Sequence, residues 1–154
     1  MTDDARAGRP AKRPDLGLLD SLAQLSFAVH GALERAAQEH DLSLVQVRLL
    51  GILRDREPAM LELATYLGLD KSSVTGLVTR AERRGFVLRT SNPDDRRAVH
   101  VALTSKGREL TRVVAKQVER ELSSLVKGLS EVDRKRLTTI ASQVVLDAAE
   151  RRGG

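Results

Sequence analysis

The sequence predicts a mainly α-helical chain that carries one small β-hairpin, and three observations predict it. First, residues 61–103 begin with a short apolar segment (Leu61, Leu63, Ala64, Leu67) and a Gly68-Leu69-Asp70 turn. A second segment follows, with Val74, Leu77, Val78 and Ala81 at i, i+3, i+4, i+7, one stripe of a helix. Second, two alternating runs, Phe86 and Leu88 and then Val99, Val101 and Leu103, flank a polar tip, Ser91-Asn92-Pro93-Asp94-Asp95-Arg96-Arg97. Third, aromatics make up only 2% of the 154 residues. The core must come from Leu, Val, Ile and Ala, which suits helices better than a β-sandwich. Helix, turn, helix and β-wing together describe a winged helix-turn-helix, a module that reads duplex DNA.

Taken in order, residues 1–14 are polar, with Gly8, Pro10 and Pro14, and read as a disordered basic tail. Arg6-Ala7-Gly8-Arg9 has the composition of a minor-groove arm, against the plain alternative of a solvated tail. A long helix runs from Asp15 to about Glu39, with Leu18, Leu22, Leu25, Val29 and Leu33 as a helix–helix seam. His40-Asp41-Leu42 breaks it. Ser43 and Gln46 have capping-box spacing, and the helix they start, to about Asp55, is apolar on nearly every face and should be central. Glu57-Pro58 ends the next connection.

Beyond the hairpin, Thr104 can cap a helix from Ser105 to about Lys127, closed by Gly128. Ser130 and Asp133 make a second cap-like pair. The last helix has Leu137, Ile140, Ala141, Val144, Val145 and Ala148 in one stripe, and Arg151 and Arg152 at its C-terminal end. These outer helices exceed what a winged helix needs. Their seams are expected to be buried by a second copy in a two-fold dimer, rather than packing only within the chain. The expected division is a tail over 1–14, an N-terminal dimerisation helix over 15–42, the DNA-binding domain over 43–104 and C-terminal dimerisation helices over 105–154.

Charge follows the same plan. From Lys71 to Arg108 nine Lys or Arg face three acidic residues, a surplus of +6 in a chain of net charge +5. The basic excess lies in the expected reading unit, where phosphates would require it. If Val74, Leu77, Val78 and Ala81 face inward, the opposite face of that helix holds Ser72, Gly76, Thr79, Arg80 and Arg83, with Ser73 and Thr75 at its sides and Asp70 as N-cap. Small hydroxyls near a helix start suit base edges and phosphates, and a Thr methyl suits a thymine methyl. Arg80 is the expected guanine contact and Arg83 the phosphate contact. Gly76 costs about 1 kcal/mol relative to Ala. Either close backbone approach to DNA or an accident of an exposed face explains it. Arg96 and Arg97, at or just past the tip, suit a narrow minor groove. Asp95 reads as a brace that fixes an Arg side chain, or as an inert surface pair.

These residues carry a resemblance. The sequence resembles the MarR (multiple antibiotic resistance regulator) family of bacterial transcription factors over roughly residues 15–150. It does so through Leu61-x-Leu63-Ala64-x-x-Leu67-Gly68-Leu69-Asp70-Lys71-Ser72-Ser73-Val74-Thr75, Arg83-Arg84-Gly85-Phe86-Val87 and Asn92-Pro93-x-Asp95-Arg96-Arg97, followed by Val101-x-Leu103-Thr104-x-x-Gly107. The Asp-Arg-Arg wing followed by Leu-Thr-x-x-Gly is the specific part. The resemblance implies a homodimer of six helices and a wing on a pseudo-palindromic operator, most members being repressors released by small phenolic or carboxylate ligands. It places Ser72, Ser73, Thr75, Gly76 and Arg80 in the recognition helix and Asp95, Arg96 and Arg97 in the wing. The absence of Cys departs from the family's peroxide-sensing branch, and the absence of Trp removes any indole-stacking pocket.

For an aromatic or carboxylate effector the sequence offers Ser26 and His30 on the first long helix, Arg48 on the second and Arg108 or Arg112 on the helix after the wing; the plain alternative is an interfacial His30 among solvated arginines. Catalysis has little to stand on. His30, His40 and His100 lie on separate elements without metal-ligand spacing, and there is no phosphate loop or serine elbow. No metal or cofactor is expected. With no apolar run near the roughly 18 residues of a membrane span and no signal-peptide core, the expectation is a soluble cytoplasmic protein. The competing class is a nonspecific, nucleoid-type basic protein without an effector.

Overall fold

The computed structural model describes residues 14–92 and 94–153, and for Asn92, Asp95, Arg96 and Arg152 the backbone alone. The tail expected over 1–14, with its minor-groove arm, therefore falls outside the described residues save for Pro14. Six helices and a two-stranded antiparallel sheet follow one another: α1 (Leu18–Gln38), α2 (Leu44–Leu53), α3 (Met60–Leu67), α4 (Lys71–Arg83), β1 (Val87–Asn92), β2 (Asp95–Leu103), α5 (Ser105–Val126) and α6 (Glu131–Gly153).

Local chemistry explains the boundaries. The Ser43 hydroxyl accepts from the Gln46 amide while the Gln46 side chain accepts from the Ser43 amide, so two orphan donors at the start of α2 are satisfied together. Asp41, in the left-handed region at φ 53°, makes the turn before it. Gly68, at φ 66°, closes α3. Its amide and that of Leu69 bond to the carbonyls of Thr65 and Ala64. Arg48 reaches over from α2 and donates to the next two carbonyls, Tyr66 and Leu67. All four C-terminal carbonyls of α3 are thereby satisfied.

One core joins the central elements. Leu49, Leu50 and Leu53 of α2, Leu63, Ala64 and Leu67 of α3, and Val74, Leu77, Val78 and Ala81 of α4 are buried with Phe86, Val87, Val101, Leu103 and Val114. The hairpin differs from the expected alternation. Phe86 belongs to the turn before β1, so the inward set begins at Val87, which pairs with Leu103, and Arg89 pairs with Val101. Leu88 and Val99 are exposed instead. Leu61 also departs from expectation. It lies at the open start of α3 and is 76% exposed. Residues 57–59 add a feature absent from the sequence reading: Ala59 bridges His100, the Pro58 carbonyl accepts from the Val101 amide, and the Glu57 carbonyl contacts His100 Nδ1. The α2–α3 connection thus lies along β2 as a third, minimal strand.

The outer helices behave in two ways. α1 packs chiefly on α5, and its buried residues are Ala32, Ala36 and Ala37 rather than the leucine seam. Small side chains let the two axes approach closely. Leu18, Leu22 and Leu25 remain open, Leu18 at 74%. α6 packs closely on no other element among the described residues, and Ile140 and Val144 are 61% and 52% exposed. No helix among the described residues is long and apolar enough to cross a membrane.

The base of the wing is joined to α5 through Gly107. A Cβ built there would stand 1.9 Å from the Phe86 carbonyl oxygen, backbone that has no rotamer with which to yield. We expect Gly107→Ala to destabilise the protein by about 3 kcal/mol or more, at the upper end of overpacking costs. Urea denaturation followed by circular dichroism checks this, and an unchanged midpoint would contradict it.

Candidate nucleic-acid interface

α4 is held at both ends so that one face is left open. Asp70 caps its start: the Ser73 amide donates to Oδ1 at 2.9 Å and the Ser73 hydroxyl to Oδ2. These bonds, the hydroxyl's first, hold the Asp70 carboxyl below its ordinary pKa. At the other end Gly85, at φ 77°, turns the chain out of the helix. Arg84 donates to the Asp41 carbonyl at 2.9 Å and lies 4.7 Å over the Phe86 ring, with Lys106 at 5.1 Å.

With Val74, Leu77, Val78 and Ala81 buried, Ser72, Ser73, Thr75, Arg80 and Arg83 are exposed, and Gly76 and Thr79 are partly so. The residues chosen from the sequence therefore share one open face. Their chemistry is less uniform than their exposure. The Ser73 hydroxyl is engaged by the cap, and Thr75 donates to the Lys71 carbonyl at 2.8 Å. Arg80 and Arg83 make no hydrogen bond or ion pair among the described residues. The Arg80 guanidinium folds back along the helix, 3.2 Å from where a Cβ on Gly76 would stand. A methyl group there would need the Arg80 side chain to give by a few tenths of an ångström, which its exposed, flexible end allows, so packing does not demand the glycine.

Next to this face runs the hairpin. Its register slips between Ser91, which pairs with Val99, and Asn92, which pairs with Asp95. Residues 96–98 consequently bulge from β2 just past the tip. Arg96 and Arg97 have their backbone there, in the expected place. The side chains of Asp95 and Arg96, and with them the expected brace, lie outside the described residues. Arg97 lines a cavity of about 560 Å³ between α3, the start of α4 and β2, together with Met60, Leu61, Lys71, Thr75 and Val99.

Four of the nine cations counted over 71–108 turn out to be structural. Arg84 and Lys106 brace the turn after α4, Lys106 through the Arg84 carbonyl at 2.9 Å. Arg108 donates to the Leu103 carbonyl at 2.8 Å. Arg89 pairs with Glu82, the lone carboxylate of α4, and donates to Thr79 Oγ1 at 3.0 Å. Sequence reasoning counted Arg89 as free charge and missed this clamp. An acid and a threonine three residues apart beside a strand arginine were the available signal.

Of the effector candidates, Arg112 lines a second cavity of about 560 Å³ on α5, together with Arg54, Leu103, Arg108, Thr111, Ala115, Lys116 and Glu119. A contiguous apolar recess lies deeper between α2 and α5, walled by Val47, Leu50, Val114 and Val118. Ser26, His30 and Arg48 do not line either. His30 sits on an exposed turn of α1 with Glu34 at 3.1 Å, and Arg48 donates from both terminal nitrogens to the end of α3. Arg54 and Arg112 have carboxylate partners, Asp55 and Glu109, whose hydrogen bonds to them lower both acids' pKa values. The described residues hold no cluster of His, Asp and Glu able to bind a metal ion.

Comparison with known proteins agrees with this architecture. The MarR family model matches residues 42–99, from the start of α2 into the wing. The HTH-type transcriptional regulator PecS of Dickeya dadantii is 28% identical over 145 residues, which span 86% of each chain. The homoprotocatechuate degradative operon repressor of Escherichia coli is 27% identical over 127 residues, 81% of this chain and 85% of that one. Among solved structures, CouR from Rhodococcus jostii RHA1 bound to p-coumaroyl-CoA superposes with a TM-score of 0.70 at 25% identity, covering 81% of this chain and 89% of CouR. With the helix pair, the wing and the Leu-Thr-x-x-Gly junction in place, residues 42–99 match the MarR family of winged helix-turn-helix transcriptional regulators, and the chain around them is similar to regulators of that kind along most of its length.

Proposed function

We propose that this chain is a homodimeric, sequence-specific repressor, acting in the cytoplasm, that is released from a pseudo-palindromic operator by a small aromatic or carboxylate ligand. The observation that carries the DNA-reading part is the open face of α4. Ser72, Thr75 and Gly76 near its start, and Arg80 and Arg83 further along, which have no partner among the described residues, would give hydroxyls and guanidiniums to one groove, next to a basic wing. In this reading Arg80 contacts a base, Arg83 a phosphate, and Arg96 and Arg97 the flanking minor groove, with Asp95 as their brace. Residues 43–104 are the DNA-binding unit and residues 15–42 and 105–154 the dimerisation helices. The repressor sense is supported by the similarity to the homoprotocatechuate degradative operon repressor of Escherichia coli.

Binding to duplexes from the flanking genomic DNA tests this. A repressor exceeds competitor DNA by about 10³-fold or more at physiological salt, whereas a nonspecific nucleoid-type protein shows no such ratio and loses affinity steeply with salt. Arg96→Ala is expected to weaken operator binding by about 1–3 kcal/mol and to leave the mass of the particle unchanged. Unaltered affinity would remove the wing from the interface.

A second copy is the natural cover for the open apolar faces of α1 and α6. A charge buried without a partner costs several kcal/mol, so Val144→Asp is expected to give a monomer by light scattering with its helicity intact. A dimeric mass would place the interface elsewhere.

The effector is assigned to the α2–α5 cavity, where Arg54, Arg108, Arg112 and Lys116 rim an apolar recess suited to a ring bearing an anion. That a MarR-type neighbour holds an aromatic thioester supports the class. In titrations with a panel of aromatic carboxylates, at least one should raise the melting temperature and lower operator affinity, and Arg112→Ala should blunt both. If no compound moves either quantity, the effector is lost from the assignment.

A further inference from the structure

Threonine inside a helix ordinarily gives its hydroxyl hydrogen to the carbonyl four residues earlier. In this chain Thr65, Thr75, Thr111, Thr138 and Thr139 all do so, at 2.7–3.2 Å. Thr79 of α4 is the exception. It makes no such bond and instead accepts one, from Arg89 Nη2 at 3.0 Å. The same guanidinium is tied through Nη1 to Glu82, one turn further along the helix. Arg89 starts from β1, where it pairs with the buried Val101, so its base cannot wander.

The chemistry of this arrangement is directional. The guanidinium takes up one lone pair of Thr79 Oγ1, so the hydroxyl hydrogen has to point away from it. The adjacent positive charge polarises the O–H and makes it a stronger donor. Among the described residues nothing receives that hydrogen. Arg89 also neutralises Glu82, the carboxylate that would otherwise repel phosphates beside Arg80 and Arg83.

We propose that Arg89 is a positioning residue for DNA readout: it frees the Thr79 hydroxyl from the helix backbone and presents it as a donor to an acceptor on a base edge in the major groove. The acceptor class is a purine N7, guanine O6 or thymine O4. This rests on the DNA-reading assignment above, and the experiment keeps the two apart.

The full-length protein and its Thr79→Val, Thr79→Ser, Arg89→Lys and Thr79→Val/Arg89→Lys variants select binders from a pool of duplexes with randomised sequence, and the preference is scored position by position. The wild type should favour its chosen pair at one position per half-site by about tenfold. Thr79→Val and Arg89→Lys should each flatten that position, and the double variant should flatten it no further. Thr79→Ser, which restores the hydroxyl, should restore the preference. If Thr79→Val keeps the preference, or Thr79→Val loses it while Arg89→Lys retains it, the proposal is overturned. It is overturned equally if both variants lower affinity for every sequence alike, as loss of a phosphate contact would. A wild-type protein that enriches no sequence would instead sink the DNA-reading assignment itself, and this one with it.

Discussion

The Phe86 carbonyl lies in the space that any side chain on Gly107 would fill. That approach fixes three elements at one point. The same carbonyl accepts from the Thr104 amide, and the Thr104 hydroxyl both donates to the Gly85 carbonyl and accepts from the Gly107 amide. The end of α4, the base of the wing and the start of α5 therefore share a single hydrogen-bonded knot. Arg84 and Lys106 close over the Phe86 ring from above. Glycine is required at 107 for lack of room rather than for backbone freedom, since no unusual φ occurs there.

This knot gives α5 its role. At its start α5 is bound to the wing and to α4. Along its length it packs on α1 and borders the cavity shared with α2. A ligand that opens the α2–α5 cleft under the proposed function would work against a helix fixed at the DNA-facing end. Arg108 makes the connection shorter still. Arg108 lines the cavity while donating to the Leu103 carbonyl at the last residue of β2. An anion that drew Arg108 away would release a bond at the wing's own root, a coupling by competition for one guanidinium.

Features set by chemistry within three residues were legible in the sequence. The Ser43–Gln46 box, the Asp70 and Thr104 caps and the stripe of α4 all appear where spacing places them, because a cap depends on its immediate neighbours. Features set by docking were not. The inward face of the hairpin depends on where the turn ends, and Gly85-Phe86 consumed the residue from which the alternation was counted. The leucines of α1 form the stronger pattern, yet the alanines are what the chain itself buries, since close packing of helices rewards small side chains that hydropathy undervalues. Ser26, His30, Arg48 and Arg112 share no cavity because helix periodicity carries no distance between helices. The contacts of Arg89 with Thr79 and Glu82 needed the strand to be placed beside α4 before they could be read.

The arginines show why a charge surplus is a poor measure of DNA contact. Arginine has five donors in a fixed fork, and this fold uses that fork where backbone carbonyls would otherwise be orphaned. Arg48 completes the end of α3, Arg84 holds the α1–α2 turn, and Arg108 holds the last carbonyl of β2. Arg89 is spent on Glu82 and Thr79. Each still adds to the long-range potential that steers a duplex toward the surface. Only a cation that reaches a phosphate releases a counterion, and each such contact adds about 0.9 to the slope of log affinity against log salt. Attraction at a distance thus scales with the net surplus of +6 over 71–108, partnered cations and acidic residues included. Under the proposed function, salt sensitivity of the bound state would scale with the smaller set that reaches phosphates, for which the exposed Lys71, Arg80 and Arg83 of α4 are the candidates. Under the proposed function a regulator built this way would approach DNA strongly, and its discrimination would come from the few side chains on α4 that remain open to touch bases.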